Sequence, residues 1–299
     1  MARSNILTGT ALTFAAAIAF AGNTAAAKLA YEGGANPLTF LTMRSVLAGL
    51  LVVTIVLLTG RSLHMPLRRR IAALGIGVLA TVYSYGLLSA IQFIPVALAV
   101  LIFYTFPLLT SLYTWISGRE KPTMASIVAL VVAFVGLVLA LDVEGGHLNI
   151  EGVSLAFIAA LGLTAVVLLN NRMVGASDPH PVTFYMMVSM TVISVIVALL
   201  SDGYTLPNSG SGWFHLTLGT SLYAVAIVTI FIAFALAGTI ATSLTMNVEP
   251  VSSVILGFLV LGQALTAWQI AGVALVIAAV LSVRLADMRR THAARDKLE

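Results

Sequence analysis

Long apolar runs divided by short turn signals run the whole length of the chain. A membrane-spanning helix needs about 20 mostly apolar residues, and ten such stretches are found, at 6–28, 37–59, 71–93, 96–117, 123–142, 151–171, 181–200, 213–235, 238–262 and 266–286. Gly33-Gly34-Ala35-Asn36-Pro37, Ile94-Pro95, Gly145-Gly146, Asp178-Pro179-His180-Pro181 and Pro207-Asn208-Ser209-Gly210 punctuate them. The join near Gly238 is the least marked, because no charge separates the eighth span from the ninth. The runs are continuous rather than alternating, which argues against a membrane barrel. Arg3, the apolar stretch after it and the small residues near position 25 resemble a signal peptide. That segment has a counterpart later in the chain, so it is read as the first span.

The pattern repeats. Gly9–Phe14 (GTALTF) matches Gly152–Phe157 (GVSLAF) at an offset of 143, and Pro37–Phe40 matches Pro181–Phe184 at 144. Pro107 and Pro250, and Thr123 and Thr266, again stand 143 apart. Each half then holds five spans. Five is odd, so the second half enters the membrane upside down, the arrangement of many secondary transporters. The expected units are residues 1–145, residues 146–290 and a short cytoplasmic tail at 291–299.

Composition agrees with the pattern. Of 299 residues 60% are hydrophobic and 9% charged, with a mean hydropathy of +1.06. Soluble domains carry about 25% charged residues, so a soluble enzyme, a disordered chain and a nucleic-acid binder are all excluded. Cysteine is absent, which removes thiolate chemistry and disulfides. The net charge of +4 is a topology signal: with ten spans, Arg3, Arg61, Arg68, Arg69, Arg70, Arg119, Lys121, Arg172, Arg284 and the basic tail gather on one side. Asp142, Glu144, Glu151 and Asp202 fall opposite. By the positive-inside rule both termini are cytoplasmic, in a bacterial inner membrane.

The chain resembles the ten-helix drug/metabolite transporter superfamily, in its EamA-type branch. The residues that carry the likeness are Asn36-Pro37 with Arg44, Gly118-Arg119-Glu120, Glu249-Pro250, Leu261-Gly262-Gln263 and the Gly272 spacing. Gln263 stands where the family usually has glutamate, and Val188 at the repeat position of Arg44. Within the branch the chain is most similar to bacterial aromatic amino-acid exporters. The resemblance implies alternating access around a cavity lined by spans one, three, four, six, eight and nine.

Ionisable groups inside a membrane are costly and usually functional. Lys28 lies close enough to a helix end to snorkel. Arg44 lies deeper, and spacing leaves three partners open to it: the interface, backbone carbonyls or Glu249. Glu249 has three roles open as well: a proton carrier, a contact for a substrate amine, or a structural partner. Pro107 and Pro250 each remove a backbone donor and are expected to kink their helices. Ser243, Asn247 and Pro250 share one helical face. The repeat places Asn247 opposite Tyr104. Thr81, Ser84 and Tyr85 share a stripe in the third span, Tyr83 points elsewhere, and Asn23 and Asn170 complete the candidate substrate contacts. Each of these polar residues has the plain alternative of an interhelical hydrogen bond.

Such a cavity suits a semi-polar cargo with an apolar body, with Phe103, Tyr104 and Phe106 available for ring contacts. A dianionic phosphate is expected to need more cationic clamps than the chain has. No nucleophile–base pair, metal site or phosphate-binding loop is found, so neither enzyme activity nor a cofactor is expected. The expected partners are a small molecule (first an aromatic amino acid) and membrane lipid, with no nucleic acid, and the chain is expected to work as a monomer.

Overall fold

The computed structural model describes residues 2–118, 124–141, 149–173, 179–246 and 248–295. Every regular element among them is a helix: α1 (Ala2–Glu32), α2 (Pro37–Thr59), α3 (Leu67–Phe93), α4 (Val96–Phe103), α5 (Phe106–Ile116), α6 (Met124–Leu141), α7 (Ile150–Met173), α8 (Pro179–Leu200), α9 (Gly210–Thr245), α10 (Val248–Leu259) and α11 (Ala267–Arg295). Six described stretches are long and apolar enough to cross a membrane: Leu7–Glu32, Pro37–Thr59, Leu67–Phe93, Ile150–Leu169, His180–Leu200 and Gly210–Ile230. Shorter apolar helices cover Val96–Thr110, Val248–Leu259 and Ala267–Ala279. The chain is therefore a multi-pass membrane protein. The expected turn at Gly145-Gly146 and boundary at 145/146 lie outside the described residues, as do Asp142, Glu144, Asp178, Arg119, Glu120 and Lys121.

Local chemistry sets the helix ends. Asn36 caps α2, its Oδ1 accepting from the Thr39 N–H at 2.9 Å, with Pro37 in the first turn. The same amide donates from Nδ2 to Gly203 O at 2.9 Å, so the turn between α1 and α2 is tied to the loop between α8 and α9. Asn208 N–H donates to Gly33 O at 2.9 Å beside it.

Packing pairs a helix of one half with a different helix of the other. A Cβ on Gly9 would meet Ala237, on Gly22 Leu222, and on Gly33 Gly212, so α1 and α9 lie antiparallel along their lengths. The same test places Gly152 against Phe93, Gly86 against Ala159, and Gly162 against Tyr83, so α7 and α3 are also antiparallel. Small residues at these seams let backbones approach, which is how helices associate where lipid removes the hydrophobic drive. The equivalent helices start at a nearly constant interval: Pro37 and Pro179, Leu67 and Gly210, Phe106 and Val248, Met124 and Ala267.

The boundary expected near Gly238 has a different form. Helical backbone runs unbroken from Gly210 to Thr245. A straight helix would carry Met246 about 24 Å beyond Ile230, yet Met246 packs on the cluster of Ala16, Ala226 and Ile230. The chain therefore reverses between Ile230 and Met246, so the helical stretch of α9 is not one straight rod. Gly238 lies within that stretch, at the repeat position of Pro95.

Two glycines on α3 give a test of the seams. A Cβ on Gly77 would stand 2.7 Å from Met186 O, whereas one on Gly75 meets nothing within 4 Å. Gly77→Ala is expected to destabilise by about 1–3 kcal/mol, and Gly75→Ala to stabilise by up to about 1 kcal/mol. Thermal unfolding in detergent checks both, and equal shifts would refute the close approach of α3 and α8.

Candidate substrate site

The site grows out of two helix breaks. Tyr104 and Thr105 separate α4 from α5, and Met246 lies in a turn after α9 ends at Thr245 and before α10 begins at Val248. Pro107 lies in the first turn of α5 and Pro250 in the first turn of α10. The expected kinks are thus full interruptions, and they fall at matching repeat positions. Thr164, near the middle of α7, donates its hydroxyl to Ala160 O at 2.8 Å and lies 3.3 Å from Phe106 O in the α5 break. Met246 packs near the middle of α1.

Proline leaves the carbonyl four residues back without its helical donor. For Pro250 that acceptor is Met246 O, which takes the Glu249 N–H at 3.0 Å. The Tyr104 hydroxyl also reaches Met246 O, at 3.2 Å, and lies 2.6 Å from Glu249 Oε2. One hydroxyl proton serves one acceptor at a time, and the carboxyl is the nearer. Tyr104 therefore joins the break of one half to the break of the other. Pro95 repeats this logic: it frees Ile91 O, and the Lys28 ammonium donates there at 2.9 Å. Lys28 does not snorkel away but caps the end of α3, a favourable place for a cation.

Aromatic rings surround the junction. Tyr83 and Phe103 have centroids 5.9 Å apart, Phe103 and Phe106 6.3 Å, and Tyr104 and Phe106 6.0 Å in an edge arrangement. Glu249 is only 7% exposed. Arg44 makes no ion pair with it. The guanidinium instead lies 4.3 Å over the Tyr223 ring, 4% exposed, with Nε unpartnered. Phe20 meets Tyr223 edge-on at 5.8 Å.

The other candidates divide. Tyr83 joins the rings, while Tyr85 is 38% exposed and makes none of these ring contacts. Ser84 is fully buried with its Oγ unpartnered. Asn23, with its amide oriented to suit its neighbours, donates to Gly219 O at 3.2 Å, an α1–α9 staple. Asn247 lies outside the described residues. Asn170 and Ser243 fall on α7 and α9, and their side chains, like that of Pro107, are not among those described. Tyr31, Tyr223 and the capping role of Lys28 were not foreseen. Only Lys28 had a usable signal, Pro95 four residues after Ile91. No group of three His, Asp or Glu suited to a metal is found among the described residues. A separate apolar cavity of about 570 Å³ lies between α1, α10 and α11, lined by Phe14, Ile18, Val251, Ile255 and Leu281 among others.

The Lys28 cap can be tested directly. Lys28→Met is expected to destabilise by about 1–3 kcal/mol by stranding Ile91 O, and Lys28→Arg to recover most of the loss. Thermal unfolding of both variants checks this, and equal loss in the two would contradict a charge-donating cap.

Comparison with known proteins followed the same division. The model of the EamA-like transporter family matches residues 7–141 and again residues 150–285. The uncharacterized transporter sll1319 of Synechocystis sp. (strain ATCC 27184 / PCC 6803 / Kazusa) is 24% identical over 232 residues, 72% of this chain and 67% of that protein. A solved crystal structure is similar in fold, with a TM-score of 0.63 at 19% identity, over 92% of this chain and 97% of the other.

Proposed function

The chain belongs to the EamA-like transporter family, and from that premise we propose that it exports amino acids, aromatic ones first, by alternating access. What the family settles is coarser: a multi-pass transporter of small molecules. The observation that carries the finer reading is the meeting of the two helix breaks at Tyr104, Met246 and Glu249 inside a ring of aromatic side chains. Broken helices near mid-membrane are where transporters of this kind expose polar groups to cargo. Rings at such a place favour a cargo that carries a ring of its own.

The architecture in this reading is ten crossings in two inverted halves, 1–145 and 146–290, with 291–299 as tail. Two facts support it. Lys28 brings the C-terminal ends of α1 and α3 to one level. The α1–α9 seam begins α9 at that same level, so α9 runs opposite to α3, its counterpart in the repeat. One chain supplies both breaks, so the monomer is the transport unit. It sits in a bacterial cytoplasmic membrane with both termini inside.

Asn23, Tyr83, Ser84, Tyr85, Tyr104, Asn170, Ser243 and Asn247 are the proposed substrate contacts. Pro107 and Pro250 mark the moving joints, and Glu249 carries the coupled proton. Purified protein in liposomes is expected to take up labelled phenylalanine with trans-stimulation by unlabelled phenylalanine. Saturable flux of other solutes alone would shift the cargo to drugs or other metabolites, and flux without trans-stimulation would indicate a channel. Tyr104→Ala and Asn247→Ala are expected to raise the half-saturation concentration about tenfold or more, with expression intact. Glu249→Gln is expected to remove the pH dependence of uptake; an unchanged pH profile would discard the proton role.

A further inference from the structure

Arg44 is a buried positive charge with no acidic partner. Glu249, the one buried acid among the described residues, is engaged by Tyr104. Taking a guanidinium out of water costs several kcal/mol. The face of Tyr223 returns about 2 kcal/mol even when the pair is desolvated. The remainder calls for a negative charge.

Hydrogen bonding gives a second, independent sign of the same need. Arg44 Nε, the Tyr223 hydroxyl and the Tyr31 hydroxyl are all buried and all without a hydrogen-bond partner. The guanidinium of α2 lies over the Tyr223 ring of α9, and Tyr31 of α1 meets Phe40, one turn before Arg44 on α2, edge-on at 6.1 Å. Buried polar groups are normally paired, and two hydroxyls can turn their protons toward a common acceptor. A planar guanidinium and a carboxylate match in shape as well as in charge.

We infer that Arg44, with the hydroxyls of Tyr31 and Tyr223, anchors the carboxylate of the cargo, while Tyr83 and its ring neighbours receive the apolar body. The inference rests on the export reading above and adds the chemical group that the site demands. It also sets the valence of the cargo. One guanidinium serves one negative charge, and the nearby cation Lys28 is already committed to Ile91 O. The cargo is therefore a monocarboxylate rather than a phosphate or a dicarboxylate. Val188 occupies the repeat position of Arg44, so the second half offers no equivalent anchor and the cargo binds in one orientation.

The test separates acid from amine. Unfolding of the purified full chain is followed against rising L-phenylalanine, 3-phenylpropionate and 2-phenylethylamine, each added alone. The first two are expected to raise the midpoint saturably, and the amine to leave it unchanged. Arg44→Gln is expected to weaken both acids by roughly tenfold to hundredfold, with partial rescue in Arg44→Lys. If Arg44→Gln does not fold, Tyr223→Phe, which keeps the ring, is expected to weaken the acids by a smaller factor and to leave the amine at zero. Equal stabilisation by the amine, or acid binding unaffected by these variants, would overturn the anchor and leave amino-acid export standing. Arg44-dependent binding of 3-phenylpropionate without phenylalanine would keep the anchor and overturn the amino-acid reading. No binding of either acid would overturn the anchor outright.

Discussion

Inside a bilayer a backbone carbonyl without a donor has no water to turn to, and proline creates such carbonyls at set places in this chain. Pro95 strands Ile91 O, and Lys28 crosses from α1 to supply a proton. Pro250 removes the helical donor of Met246 O, which takes the Glu249 N–H at 3.0 Å instead and so turns the start of α10. The first repair ties together helices distant in sequence, and the second leaves the Glu249 carboxyl within 2.6 Å of the Tyr104 hydroxyl from the other break. The proposed cargo site is thus also the region where the helical ladder is incomplete.

That weakness is tolerable because the surrounding seams are tight. α1 against α9, and α3 against α7, approach so closely that a methyl group on several glycines would collide with the facing helix. These two antiparallel pairs exchange partners between halves: the first helix of each half packs on the third helix of the other. Each break rests on one of these pairs: Phe106 O, just after Tyr104–Thr105, lies 3.3 Å from Thr164 of α7, and Met246 packs on Ala16 of α1.

Much of this was legible in the sequence because repeat spacing and proline position are one-dimensional signals. The offset of 143 placed the break in α9–α10 from the one in α4–α5, and apolar runs located the helices within a few residues. Partners across space were harder to read. Glu249 has Phe106 as its repeat equivalent, so symmetry pointed away from the bond that it makes with Tyr104. The sequence marked Asn23 as a polar residue in the first span but not that Gly219 O faces it, since which helix stands opposite is fixed by packing. The reversal between Ile230 and Met246 shows in packing, and Gly238 lies within that stretch.

The two buried charges are more informative together than apart. Arg44 and Glu249 would neutralise each other as a pair, and such a pair would leave the cavity with no net demand for a charged ligand. Instead each is held by a tyrosine, Arg44 over the ring of Tyr223 and Glu249 against the hydroxyl of Tyr104. Separate tyrosine partners thus hold the two charges apart, one on α2 against α9 and one on α10 against the end of α4. In the proposed reading the two charges are therefore not interchangeable: the acid of a cargo answers Arg44, whose only close partner among the described residues is a ring face, while Glu249 already has the Tyr104 hydroxyl at 2.6 Å.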